Sequence, residues 1–141
     1  MATPLVVSDV AKSFTMHLRD GIKLPVVTGV SFSIRAGECA VLGGPSGAGK
    51  SSILKMLYGN YAVDEGQIIV QHEDGLIDLA TASPRTVLAV RRLTIGYVSQ
   101  FLRTVPRVSA LDVVAEPLVE GGEDREVARG KARALLGQLN L

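Results

Sequence analysis

Nine consecutive residues, Gly44-Pro45-Ser46-Gly47-Ala48-Gly49-Lys50-Ser51-Ser52, have the types and spacing that hold phosphate. Gly44, Gly49, Lys50 and Ser51 fit the P-loop pattern G-x-x-x-x-G-K-[ST]. Each type has a physical task. Glycines open backbone conformations closed to residues with a Cβ. The resulting turn presents a concave array of N–H groups to an anion. Lys50 adds a mobile point charge for the outer phosphates. Ser51 offers a hydroxyl oxygen to Mg²⁺, a hard ion that prefers oxygen ligands.

A phosphate loop works only if flanking elements hold it. Glu38-Cys39-Ala40-Val41-Leu42-Gly43 is a short apolar run and is predicted to enter the loop as a buried parallel strand. Ser51 to Tyr58 is predicted as a helix that stops at Gly59-Asn60, with Ile53, Leu54, Met56 and Leu57 as a broad apolar face. Its N-terminal amides and dipole would face the phosphates.

The remaining chain reads as alternating strands, then helices. Leu5 to Phe14 is predicted as a strand, and Asp20-Gly21 as a hairpin turn. Leu24–Val27 and Val30–Ile34 follow as strands, and Ala36-Gly37 turns the chain toward the loop. After the helix, Val63-Asp64-Glu65-Gly66 is a turn and Gln67–Val70 a strand. Asp74-Gly75 closes a hairpin onto Leu76–Leu79. Ser83 caps a helix with Pro84 at its first position, running toward Arg92. Leu93 to Gln100 is predicted as a further core strand. Ser109 caps another helix, Glu120-Gly121-Gly122-Glu123 breaks it, and a last helix follows Asp124. In that helix Val127, Ala128, Ala132, Leu135, Leu136 and Leu139 recur at helical spacing.

Composition narrows the class. With 47% hydrophobic and 21% charged residues among 141, the chain can pack a core. A net charge of +1 gives no bulk attraction to nucleic acid or membrane, and no nucleic-acid partner is expected. No apolar run has the length of a membrane span, and Met1-Ala2-Thr3-Pro4 does not open a signal peptide. Cys39 is the single cysteine and is predicted to be a buried structural thiol. His17 and His72 are read as surface residues, with no metal site. These features fit a reducing, cytoplasmic location.

Over its whole length the chain resembles the ATP-binding domain of the ABC ATPase superfamily. The residues that carry this are Val30 to Glu38 ahead of Gly43 to Ser52, and Tyr97-Val98-Ser99-Gln100, which is similar to the superfamily's Q-loop. The resemblance implies an α/β P-loop core with an N-terminal antiparallel β subdomain and the start of a helical subdomain. Residues 1–100 would be the β subdomain and core, and 101–141 the start of the helical part. It implies ATP and Mg²⁺ as ligands. Gly44, Pro45, Ser46, Gly47, Ala48, Gly49, Lys50, Ser51 and Ser52 would hold the phosphates. Ala48 replaces a more usual serine and would act through its N–H; Ser52 replaces a threonine and keeps a hydroxyl for the α-phosphate. Gln100 would sit near Mg²⁺ and the γ-phosphate, sharing the metal with Ser51. Phe14 would stack on adenine, in a place more often held by tyrosine. A second ABC-type subunit is the implied partner.

A narrower resemblance rests on Gln100 to Leu118 and on the excursion Thr15 to Lys23. Both are similar to the ATP-binding subunit, the L component, of the phosphonate carbon–phosphorus lyase system. That resemblance implies a role in forming ribose 1-phosphonate 5-triphosphate from ATP and a phosphonate, with other lyase subunits as partners. The competing expectation is the ATPase of an ABC transporter of the lipoprotein-release or macrolide-export type, driving a membrane permease. The two would differ in what docks at Phe101–Arg107, where Arg103 and Arg107 lie. A small-molecule kinase fits less well, because kinases usually open directly on the P-loop strand. No signature motif, Walker B carboxylate or switch histidine occurs in the 141 residues. The chain is therefore expected to be the N-terminal part of one such domain, with no catalytic residue of its own, inactive as an ATPase, and poor at standing alone because an apolar sheet edge is left open.

Overall fold

The computed structural model describes residues 3–16, 21–73, 75–99 and 106–141. The chain divides into two units, Met1–Ile95 and Gly96–Leu141.

The first unit is built on a four-stranded antiparallel sheet. Its strands are β1 (Leu5–Met16), β2 (Ile22–Ile34), β3 (Glu65–His72) and β4 (Gly75–Asp78), in the order β2-β1-β3-β4. β1 is central and pairs on both sides: Val7 stands opposite Phe32 of β2 and Ile68 of β3. The two stretches read separately as Leu24–Val27 and Val30–Ile34 are one strand, β2, which continues through Gly29. β1 breaks register between Val7 and Val10. There Asp9 takes a φ of 48°, and the Ser31 hydroxyl accepts its N–H at 2.8 Å. The irregular backbone is thus hydrogen-bonded rather than left open.

Helices α1 (Lys50–Leu57) and α2 (Pro84–Leu93) complete this unit. α1 turns Ile53 and Met56 inward, and α2 contributes Val90. These join Val7, Val10, Val27, Ile68 and Val70 in one buried cluster. Burying a side chain of this kind contributes about 1.5–3 kcal/mol. α2 starts where the sequence places it: the Ser83 hydroxyl accepts the N–H of Thr86 at 3.2 Å and Pro84 opens the helix.

Two predicted strands do not form. Residues 38–43 run into the phosphate loop without strand structure. Leu93 ends α2, Thr94 caps it, and 95–99 are irregular; Gln100 lies outside the described residues. Both stretches are apolar enough to be strands, but a strand needs a lateral hydrogen-bond partner. Among the described residues the only ladders are those joining β1 to β4. Val41 and Val98 are accordingly 88% and 95% exposed. The prediction for Cys39 fails for the same reason: outside a ladder its side chain is exposed, not buried. The Nδ1 of His72 lies 2.6 Å from the Thr94 hydroxyl.

The second unit is a helical pair, α3 (Ala110–Glu120) and α4 (Arg125–Gln138). The Ser109 hydroxyl accepts the N–H of Asp112, and the Asp124 carboxylate accepts those of Glu126 and Val127. Gly121 caps α3, and Gly122 follows it at a φ of 98°. The buried seam consists of Ala115, Ala128 and Ala132, flanked by Leu111 and Val114. The larger residues expected on that seam mostly face outward: Val127 and Leu135 are each 50% exposed. Small residues four apart on α4 leave room for α3 to approach.

Candidate functional site

The phosphate loop is shaped by its backbone and by β2. Gly44, Gly47 and Gly49 have φ angles of 132°, 82° and 82°. Gly49 is the position where no other residue fits. It caps α1 from the left-handed region, and a Cβ there would meet the Val26 carbonyl oxygen at 2.5 Å and Val27 Cγ2 at 3.1 Å. So β2 presses directly on the loop at the residue that launches the helix. The Ile53 N–H donates to the Gly49 oxygen at 3.0 Å, the first helical bond of α1. In the preceding turn the Ala48 N–H donates to the Pro45 oxygen at 3.3 Å; N–H groups at a helix start have no intrahelical acceptor and can serve an anion.

Val26 and residues 46–52 line a cleft of about 290 Å³. Lys50 is its cation. Its Nζ donates to the carbonyls of Gly44 at 2.8 Å and Pro45 at 2.6 Å, folding the side chain back across the loop. No carboxylate stands in the first turn of α1 to oppose an anion. Ser51 is exposed and Ser52 half-buried in the same turn. Among the described residues no group of three or more His, Cys, Asp or Glu side chains could hold a metal ion. Within the loop, the Ser51 and Ser52 hydroxyls are the helix-turn oxygens a hard ion could use.

The structure brings residues 46–52 together; the two outlying predictions fare differently. Phe14 lies on β1, outside the lining of this cleft. Its ring meets Tyr61 edge-on, centroids 5.2 Å apart at 74°, and Lys12 Nζ stands 5.6 Å from its centroid. Asp64 fastens this corner: it accepts from Lys12 Nζ at 2.5 Å and from the Ser13 N–H at 2.8 Å. The Lys12 hydrogen bond, reinforced by the Ser13 N–H, holds the Asp64 carboxyl below its usual range. Gln100, Phe101 and Arg103 lie outside the described residues. Sequence reading missed Val26 as a wall of the cleft. Its only signal is position in the strand that packs on the loop, and the loop pattern says nothing about that strand.

Comparison with known proteins agrees with this geometry. The family model described as ABC transporter matches residues 27–141. The chain is 38% identical over 118 residues to the lipoprotein-releasing system ATP-binding protein LolD 2 of Caulobacter vibrioides, covering 84% of this chain and 50% of that protein. It is 34% identical over 122 residues to the cell division ATP-binding protein FtsE of Bacillus subtilis, covering 86% and 50%. It is similar in structure to a dimeric ATP-binding cassette in a post-hydrolysis state bound to ADP and Pi, with a TM-score of 0.82 at 25% identity, over 97% of this chain and 57% of that one. The chain thus spans about half the length of these curated relatives.

These relatives correct one expectation. They are lipoprotein-release and cell-division ATP-binding proteins, and the phosphonate-lyase reading, with its substrate and partners, is not supported. The residues that carried it, Thr15 to Lys23 and Gln100 to Leu118, lie outside the phosphate loop. The phosphate loop itself does not discriminate between such relatives. The antiparallel β subdomain, P-loop and helical subdomain match ABC cassettes of known structure. With a family match that spans all but β1 and the start of β2, the chain belongs to the ABC transporter family, as an ATP-binding P-loop domain.

Proposed function

We propose that this chain binds ATP with Mg²⁺ at residues 44–52 and serves as the nucleotide-binding subunit of an ABC transporter of the lipoprotein-release type, working on a membrane permease. The observation that carries it is the cleft lined by Val26 and residues 46–52, with Lys50 as its cation and a Gly49 junction that leaves no room for a Cβ. The similarity to lipoprotein-releasing ATP-binding proteins supplies the class of partner.

In this reading the N–H groups of Gly44, Ser46, Gly47, Ala48 and Gly49 would wrap the β-phosphate, that of Ala48 giving up the Pro45 oxygen, and Pro45 shapes the turn. Lys50 exchanges its two carbonyl partners for phosphate oxygens. Ser52 holds the α-phosphate, and Ser51 with Gln100 would hold Mg²⁺. When bound, that ion neutralises charge on the phosphates. Phe14 would supply a face for adenine. Residues 1–100 form the β subdomain and core and 101–141 the start of the helical subdomain. A second ABC-type subunit is the proposed partner, in line with the dimeric cassettes of similar fold. Among the described residues no helix is long and apolar enough to cross a membrane.

Lys50→Ala tests the site. It removes charge-assisted hydrogen bonds worth roughly 1.5–3 kcal/mol each, so ATP affinity of the intact protein should fall about tenfold or more. Unchanged affinity in a calorimetric titration would end the assignment. Co-purification tests the partner: a membrane permease is expected, and recovery with soluble proteins alone would contradict it.

A further inference from the structure

We propose that Arg91 is a positioning residue for the nucleotide site, acting through the far end of α1. The proposal rests on the reading of residues 44–52 as an ATP cradle and extends it to a residue outside the loop.

α1 has eight residues and is pinned at both ends by different elements. At its start, Gly49 lies against Val26 of β2. At its end, Arg91 of α2 donates through Nε to the Tyr58 carbonyl at 2.7 Å and through Nη2 to the Asn60 side-chain oxygen at 2.8 Å. Its guanidinium carbon also stands 4.8 Å from the centroid of the Tyr58 ring. Gly59 makes the approach possible: a Cβ there would meet Val87 Cγ1 of α2 at 2.6 Å. A planar guanidinium holds two acceptors in a fixed fork and lays its face on a ring, a geometry that the point charge of an ammonium does not match. Its charge also faces the negative end of the helix dipole.

The geometry links this clamp to the cleft. A helix of this length is a stiff rod of about 12 Å. Ile53 and Met56 seat its middle in the core, so a change of tilt at Tyr58 must appear at the other end. The residues there are Lys50, Ser51 and Ser52, which line the cleft. Arg91 touches none of the cleft-lining residues in these bonds. Its contribution is to set the angle at which they meet a phosphate.

The test uses the intact protein and two readouts, ATP affinity in the presence of Mg²⁺ and the thermal midpoint. Arg91→Ala should weaken ATP binding by about fivefold or more at a temperature where circular dichroism shows a folded protein, because a cradle slightly out of register loses several contacts together. Arg91→Lys should recover part of the loss. Asn60→Ala should lose less, and the double variant Arg91→Ala with Asn60→Ala should be no worse than Arg91→Ala alone, since both cut one clamp. The exposed neighbour Arg92 is the control, and Arg92→Ala should leave affinity unchanged. The proposal is overturned if Arg91→Ala lowers the thermal midpoint and leaves ATP affinity within about twofold of wild type. If that variant does not fold, Arg91→Lys and Asn60→Ala decide by the same criterion. If Lys50→Ala binds ATP normally, the nucleotide reading itself fails. If Lys50→Ala loses binding while the Arg91 variants keep it, only the positioning role falls.

Discussion

The sheet unit and the helical pair bury apolar surface with opposite kinds of residue. The first uses Val7, Val10, Ile68, Val70, Met56 and Val90, drawn from strands and helices far apart in sequence. The second uses three alanines on neighbouring helices. A helix lying on a sheet leaves a wide gap that only long or branched side chains fill. Two helices can instead close the gap themselves when the facing residues are small. Three alanines contribute little area, so the helical pair draws more on its ends. Ser109 and Asp124 cap the helices, and Asp112 pairs with Arg129 at 3.1 Å and Arg125 at 3.6 Å. Lys131 and Glu123 form a further pair. One region is held from within and the other largely from its rim.

The sharpest way to break that contrast is Ile68→Ala. It empties a fully buried site where β3 meets β1, and should cost about 2–5 kcal/mol. Hydrogen exchange should accelerate in β1 and β3 and leave α4 unchanged. Equal acceleration in α4 would show that the two regions unfold as one. Ala132→Leu is the mirror experiment. It overfills the seam, with an expected cost of about 1–3 kcal/mol and faster exchange confined to α3 and α4. A stabilised helical pair would mean that the seam is underpacked and that the contrast is overstated.

Acid gives the smallest effect and reads the rim. The Ser109 hydroxyl, then Arg129 and Arg125, hold the Asp112 carboxyl below its usual range. The Lys12 hydrogen bond does the same to Asp64. A carboxyl with a folded pKa below its unfolded value of about 3.9 stabilises the fold fully above that value. The contribution is lost as pH falls through the lower, folded value. Asp64 is exposed and Asp112 half-buried at the surface, so each loss is modest. As pH falls below about 4, Asp112→Asn should flatten the acid loss of helicity in α3 and α4, and Asp64→Asn that of the sheet. An acid profile that neither variant alters would remove both carboxylates from the account.

What could be read from the chain follows from where each element finds its partners. β1 and β2 were legible because alternation marks the faces and the ladder partner is close in sequence. The phosphate loop was legible because its chemistry belongs to the backbone and needs glycines at fixed intervals. Residues 38–43 and 93–100 carried the same apolar signal as the strands that form. A parallel strand, however, depends on a neighbour that its own residues do not specify, and among the described residues none is present. The exposure of Cys39 follows from that single failure. The α4 periodicity was right in part: of the residues it named, Ala128 and Ala132 are buried, while Val127, Leu135 and Leu139 are exposed. Val26 and Arg91 were silent because each acts by touching the backbone of another element, and backbone contacts leave no pattern in the side chains.

The pairing of β1 also sets an order of events. Met16 pairs with Ile22, close to it in sequence, whereas Ala11 pairs with Glu65, and the phosphate loop and α1 lie in the span that this second pairing encloses. Local hairpins close in about 1–10 μs, and contacts of wide sequence separation form more slowly. The cradle therefore takes shape in the slower step, when β3 docks and Ile68 reaches Val7. ATP has nothing to grip during the early phase of folding. Added nucleotide should slow unfolding and leave the rate of hairpin formation untouched.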